Sequence, residues 1–398
     1  MLESPSPVPF LEPDPRPALP DWARSASPST ALSPFGTPPE PPAPEGAALP
    51  WYEQPERDVR GGSGEASDSS RDPLTGEPFD RLQVLPEAGR RIYRKAFALA
   101  ERQIRIEICV LEDPKILAGL RDALDRGVRV RAIVDRGKYE ALEPERQNLA
   151  AEFVAAGGEL HLSNPIFPRS FPKTILIDSK LLVYGSACLD STTFAQYRDF
   201  ALSSTDPTVL RTIRRLFAND WAYSAPVGQE PPAFNPTPPV EPPELLIAPR
   251  NAAAGLSDLY QKAERRLDVY TEELGNAALE SELVAAVARG VIVRLITPVQ
   301  VNGASEEQNR QHTASIQALS AVGVRVRTSG PLESFDAPYM HARAARVDGR
   351  FAYVGSISLS ADSTTVNREM GLIEGDPTVV EQLGRQFVHD FRRLTPVV

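Results

Sequence analysis

Two stretches 170 residues apart bear the same marks in the same order, and a chain that repeats itself this way is constrained to fold as two like units. The later stretch, MHARAARVDGRFAYVGSISLSADSTTVNREMGL from Met340 to Leu372, sets His341, Arg343 and Asp348 at the spacing H-x-R-x-x-x-x-D. Gly355-Ser356 and Asn367-Arg368-Glu369 follow. The earlier stretch, FPKTILIDSKLLVYGSACLDSTTFAQYRDFAL, places Phe171, Lys173, Asp178, Gly185-Ser186 and Tyr197-Arg198-Asp199 in register with them. A constant offset over so many separate marks predicts a tandem duplication with half of one site in each copy.

Hydrophobic periodicity gives each copy the same order of elements. RLQVLPEAGRRIYRKAFALAERQ has apolar residues at helical spacing, IRIEICVLE alternates as a strand, PKILAGLRDALDRG reads as a helix and VRVRAIVD as the next strand. That succession is a βαβ unit with a parallel pair. NLAAEFVAAGG then reads as a helix and ELHLS as a strand. KTILIDS and KLLVYGSA are two strands joined by a tight turn at Ser179, and TVLRTIRRLFANDWAYS is a closing helix. The second copy repeats this with AGLSDLYQKAERR, LDVYTEEL, ALESELVAAVARG and VIVRLITP, here at an offset of 163, and closes with TVVEQLGRQFVHDFRRL. The seven extra residues fall around GASEEQNRQHTASIQALSAVG and the loop GPLESFDAPY, which is placed to shape an entrance. Residues 225–249 hold 9 prolines and read as a linker without strand or helix. The expected domains are therefore 81–224 and 250–398.

Composition separates off the beginning of the chain. Of 39 prolines, 15 lie in residues 1–50, and residues 1–80 hold 14 Asp or Glu against 5 Arg and no Lys. Most of the net charge of −10 belongs there. Such a segment buries too little apolar surface to offset the entropy of ordering, and is expected to be a disordered acidic arm, with polyproline stretches open to a partner. The rest is close to neutral, which counts against a protein that tracks long nucleic acid. No apolar run reaches the length of a membrane span, and the first residues lack the regions of a signal peptide. Cytoplasmic residence, with peripheral membrane contact, is the expectation. Cys109 and Cys188 are the two cysteines, and neither their number nor their context suggests a disulfide framework. His161, His312 and His389 lack ligand spacing, so no metal site is expected.

The paired pattern resembles the phospholipase D superfamily, whose members have H-x-K-x-x-x-x-D followed by G-S-x-N, usually twice. The resemblance runs from Arg81 to the C-terminus. It implies two tandem α/β/α sandwich domains related by pseudo-two-fold symmetry, and a cofactor-free, metal-free phosphodiesterase or phosphatidyl transferase. One histidine attacks phosphorus, the other protonates the leaving oxygen, and the neighbouring cations neutralise the phosphate. On the matching positions, His341 is the histidine and Arg343 and Lys173 are the cations. Glu369 would hold the imidazole tautomer, Ser356, Ser186 and Ser358 would meet the phosphate, and Asp348, Asp178, Gly355 and Gly185 are structural.

The chain departs from the pattern at four places. Phe171 stands where the first histidine belongs, Arg343 replaces lysine, and Cys188 and Ser358 replace the asparagines. A phenyl ring neither attacks nor protonates, so three readings stay open: His341 acts with water as acid; a surrogate such as Tyr197, Cys188 or Asp199 serves; or the protein binds phosphodiesters without cleaving them. Arg343 keeps the charge and offers a fork suited to bidentate phosphate contact. The function classes in competition are a phospholipid-directed enzyme, a phosphodiester-binding scaffold that recruits a partner through its arm, and a nuclease-like processor of nucleic-acid ends. A monomer is expected.

Overall fold

The computed structural model describes residues 82–332, 334 and 337–397. The expected acidic arm lies outside the described residues, as do Glu333, Phe335 and Asp336 of the expected entrance loop.

The first copy contributes strands β1 (Gln83–Leu85), β2 (Gln103–Ile108), β3 (Arg129–Val134), β4 (Glu159–Leu162), β5 (Ser170–Phe171), β6 (Thr174–Ile177), β7 (Leu181–Gly185), β8 (Tyr197–Ser204) and β9 (Ala225–Pro226). The second contributes β10 (Leu245–Ala248), β11 (Arg266–Tyr270), β12 (Ile292–Pro298), β13 (Arg325–Ser329), β14 (Tyr339–Met340), β15 (Arg343–Val347), β16 (Phe351–Gly355), β17 (Arg368–Glu374) and β18 (Thr395–Pro396). They form two mixed sheets of like topology, in the orders β1-β8-β7-β6-β2-β3-β4-β9 and β10-β17-β16-β15-β11-β12-β13-β18. The expected βαβ pairs are parallel: β2 with β3, and β11 with β12.

Local chemistry repeats with the topology. The closing helices Pro207–Ala222 and Pro377–Arg393 both begin Asp-Pro-Thr-Val, with proline at a position that needs no N–H donor. Asp206 and Asp376 cap them, each accepting from the threonine N–H at 2.8 Å. Asp178 and Asp348 adopt positive φ of 49° and 52° after their strands. Each carboxylate accepts three backbone N–H groups at 2.7–2.9 Å, from Glu101, Arg102 and Gln103 in one copy and from Glu264, Arg265 and Arg266 in the other. These aspartates clamp the start of a parallel strand, in keeping with a structural part.

Two expected elements differ. Residues 83–85 form strand β1, antiparallel to β8, and the helix begins only at Arg91, after Pro86 and Gly89 break the chain. The supposed linker contributes β9, at the edge beside β4, and β10, paired with β17. Proline is confined there to the edge strand β9 and to residues outside the strands, and the LLIA of β10 contains none.

Each copy has its own apolar core, and a third cluster lies between them, where Leu176, Tyr184 and Phe200 meet Tyr270, Ala344, Met370 and Phe387. Two reciprocal exchanges add direction to this packing. β14 of the second copy pairs with β8 of the first, and β5 of the first pairs with β17 of the second. Buried ion pairs cross in the same sense: Arg198 to Asp390 at 3.0 Å and Arg368 to Asp220 at 3.1 Å. Removing one partner of such a pair costs about 3–5 kcal/mol because the other charge is stranded. The halves are thus fixed in register around the seam that holds the motif residues.

Candidate active site

The exchanged strands decide which side chains meet. β14 ends at Met340, opposite Arg198, so the next residue, His341, comes against Asp199. His341 Nδ1 lies 2.8 Å from one Asp199 carboxylate oxygen and 3.0 Å from the other. The Tyr197 ring packs on the imidazole with centroids 4.8 Å apart. Ser186 Oγ donates to Asp199 at 2.5 Å and accepts from the Phe200 N–H at 3.0 Å, which fixes the carboxylate in turn. The imidazole of the second copy is therefore oriented by a carboxylate of the first. Glu369, expected in that position, is not its partner: it pairs along β17 with Phe171, and the mirror relation sets it beside the position of the missing first-copy histidine.

Electrostatics favour a neutral imidazole. Burial, then Arg343 and Lys173, push His341 well below the usual histidine range, against the pull of Glu272. Nδ1–H is then given to Asp199, and the lone pair stays on Nε2. Burial raises Asp199 to about 6, opposed by Lys173, Ser186 and Arg343. Burial and Arg343 pull Lys173 down to about 7. Its ammonium donates to the Ser186 carbonyl, and its backbone sits at φ 53°, a left-handed conformation uncommon for a side-chain-bearing residue.

Arg343 is more committed than the spacing suggests. Its Nε donates to Ser358 Oγ at 3.1 Å, Nη1 to the His341 carbonyl at 2.5 Å and Nη2 to Glu272. The fork expected to grip phosphate is engaged by protein groups instead. Glu272, buried yet held below its ordinary value by Arg343, His341 and Lys173, also accepts from the Tyr339 hydroxyl at 3.0 Å and lies 3.8 Å from His341 Nε2. Ser356 and Ser186 likewise differ from their expected part. Ser356 Oγ bonds the Met370 carbonyl and N–H across β16 and β17, and the Ser186 hydroxyl proton goes to Asp199. Ser358 Oγ accepts from Arg343. Gly355 and Gly185 permit close strand contact: a Cβ at Gly185 would meet the Phe200 carbonyl at 2.0 Å, and one at Gly355 the Met370 carbonyl at 2.5 Å.

Cys109 and Cys188 form a disulfide, with Cα atoms 6.0 Å apart, which corrects the expectation drawn from their number and context and removes Cys188 as a surrogate nucleophile. At offsets of 163 and 170 they are the counterparts of Glu272 and Ser358, the two side chains that grip Arg343. A covalent bond thus occupies, in the copy without a motif histidine, the place where the other copy anchors its cation. Glu272 was not singled out from the sequence. Aligning the copies at 163 would have exposed it, because it and Ser358 replace two cysteines at once. His312 is structural, accepting the Leu274 N–H at 3.1 Å and reaching the Pro298 carbonyl at 2.9 Å. Among the described residues no group of three His, Cys, Asp or Glu is placed to hold a metal ion.

The sequence model of one family, described as "Cardiolipin synthase, PLD-like domain", matches residues 93–221 and 256–391, once in each copy. The chain belongs to the phospholipase D superfamily. Relatives within it include the probable cardiolipin synthase YwiE of Bacillus subtilis (strain 168), 22% identical over 331 residues, which are 76% of this chain and 64% of that protein. The mitochondrial cardiolipin hydrolase of Xenopus tropicalis is 29% identical over 138 residues, 35% of this chain and 60% of the hydrolase. The chain thus spans less than two thirds of either relative. Of solved structures, phosphatidylserine synthase of Haemophilus influenzae Rd KW20 superposes with a TM-score of 0.61 at 12% identity, covering 80% of this chain and 87% of that one. Polyphosphate kinase of Porphyromonas gingivalis gives 0.56 at 16% identity, covering 79% and 48%. At these identities the likeness is one of phospholipase D fold.

Proposed function

We propose that this protein is a phospholipase D-type phosphodiesterase or phosphatidyl transferase that acts on a phospholipid headgroup through His341. The observation that carries the reading is the hydrogen bond from His341 Nδ1 to Asp199 across the two copies, in a setting that keeps the imidazole neutral. Nε2 attacks phosphorus, the P–O bond to the departing alcohol breaks as the N–P bond forms, and water or a second alcohol later displaces the imidazole. Lys173 and Arg343 balance the phosphate charge without a metal. The cardiolipin enzymes among the relatives favour a phospholipid over a nucleic acid, in agreement with the near-neutral charge outside the arm. Among the described residues no helix is long and apolar enough to cross a membrane.

The test is headgroup release or exchange from phospholipid vesicles by the wild-type chain and by Phe171→His. A histidine at 171 would stand beside Glu369, which is already positioned to orient it. Turnover by either protein that is lost on adding His341→Ala supports the reading. Binding of phospholipid without turnover in either protein would favour the scaffold reading instead.

A further inference from the structure

The exchange that gives Asp199 to His341 pairs Glu369 with residue 171, and there the strand partner is phenylalanine. Ser170 pairs with Arg368 and Phe171 with Glu369, as Met340 pairs with Arg198 on the other side. Glu369 is 3% exposed. Asn367 Nδ2 donates to it at 3.1 Å and the Ser363 hydroxyl bonds it as well. The charged groups that face it are Arg343 and Lys173, and the Tyr353 hydroxyl lies near. No histidine takes its carboxyl group, in contrast to Asp199.

The other candidates for a proton donor are engaged. Cys188 is in a disulfide, and Asp199 is held by His341 and Ser186. The Tyr197 hydroxyl accepts from Asn302 at 3.1 Å, and burial with nearby Glu272 makes it a weaker acid than an ordinary phenol. Lys173 is the cation that a bound phosphate requires. Building on the assignment of His341 as nucleophile, we propose that Glu369 is the general acid and base of this site, in place of the absent histidine at 171. As the P–O bond breaks, the Glu369 carboxyl gives its proton to the leaving alkoxide; the resulting carboxylate then takes the proton of the water or alcohol whose oxygen displaces His341 from phosphorus. The cycle ends with Glu369 protonated and His341 neutral. Burial already lifts the carboxyl to about 7 against the pull of Arg343, and an anionic phosphodiester beside it lifts it further, so the proton is in place when substrate binds.

A general acid is distinguished from a merely structural carboxyl by the leaving group. Glu369→Gln should lower first-turnover release of the alkyl alcohol from a phospholipid by about 100-fold or more. First-turnover release of p-nitrophenolate from bis(p-nitrophenyl) phosphate should be little changed, because that anion departs without a proton. Equal losses on the two substrates, or no loss on either, would overturn the assignment. Should Glu369→Gln fail to fold by thermal melting, the wild-type pH profiles decide. The phospholipid rate should fall on the alkaline side with a limb that the nitrophenyl rate does not share, and coincident limbs would overturn the proposal. His341→Ala keeps the two claims apart: nitrophenyl release that survives in that variant refutes the nucleophile, whereas loss there with equal losses in Glu369→Gln refutes Glu369 alone.

Discussion

Replacing His341 with alanine should lower phosphodiester turnover by roughly 10⁴- to 10⁶-fold, the range seen when a nucleophile that works as part of a unit is removed. The expected loss is large because the chain has no second histidine to stand in. Position 171 is a phenylalanine, Cys188 is bonded to Cys109, and the remaining histidines have other partners: His161 bonds Ser224, His312 bonds Leu274 and Pro298, and His389 bonds Arg393. What survives should be the contribution of binding and of the Lys173 and Arg343 charges. The ratio of kcat/KM for the two proteins measures it, with thermal melting to show that the fold is intact. A drop of less than tenfold would place the chemistry elsewhere.

Asp199→Asn should approach that loss while leaving substrate binding nearly unchanged, at up to about 10⁴-fold in kcat by comparison with amide substitutions of carboxylates that orient a catalytic histidine. A carboxylate can only accept from Nδ1, which keeps the lone pair on Nε2 where phosphorus must be attacked. An amide can donate to Nδ1 instead and stabilise the opposite tautomer, with the proton on Nε2. The effect should therefore appear in kcat with little change in KM. The same pair predicts the acid limb of the wild-type profile. Burial raises Asp199 to about 6, so activity should fall as the pH drops through that value and the carboxyl becomes protonated, even though the imidazole itself is held well below the ordinary range. A variant with wild-type kcat, or a profile flat down to pH about 5, about one unit below the carboxyl's value, would contradict the orientation described here.

The sequence made the duplication legible because the offset of 170 is carried by residues that backbone geometry demands. Asp178 and Asp348 must accept three N–H groups, and Gly185 and Gly355 must let a neighbouring strand approach. Spacing could not show which carboxylate serves which histidine. Glu369 is the near neighbour of His341 along the chain, yet β5 and β14 are two-residue strands that cross to the opposite sheet, and the pairing of such short segments is set by tertiary packing. The strands β1 and β10 escaped for a related reason, since three or four residues beside proline have too little alternation to register. The disulfide joins cysteines 79 residues apart and was visible only through the parallel replacement of Glu272 and Ser358.

The covalent step can be observed without relying on rates. Wild-type protein mixed with a phosphodiester and quenched within the first turnovers should yield, by mass spectrometry under alkaline conditions, an acid-labile phosphoryl adduct on the peptide that contains His341. The adduct should be absent from His341→Ala and should accumulate in Glu369→Gln when the nitrophenyl substrate is used, because formation needs no proton donor while breakdown needs a base. Turnover by the wild type with no adduct on His341, or with the adduct on another residue, would contradict the account.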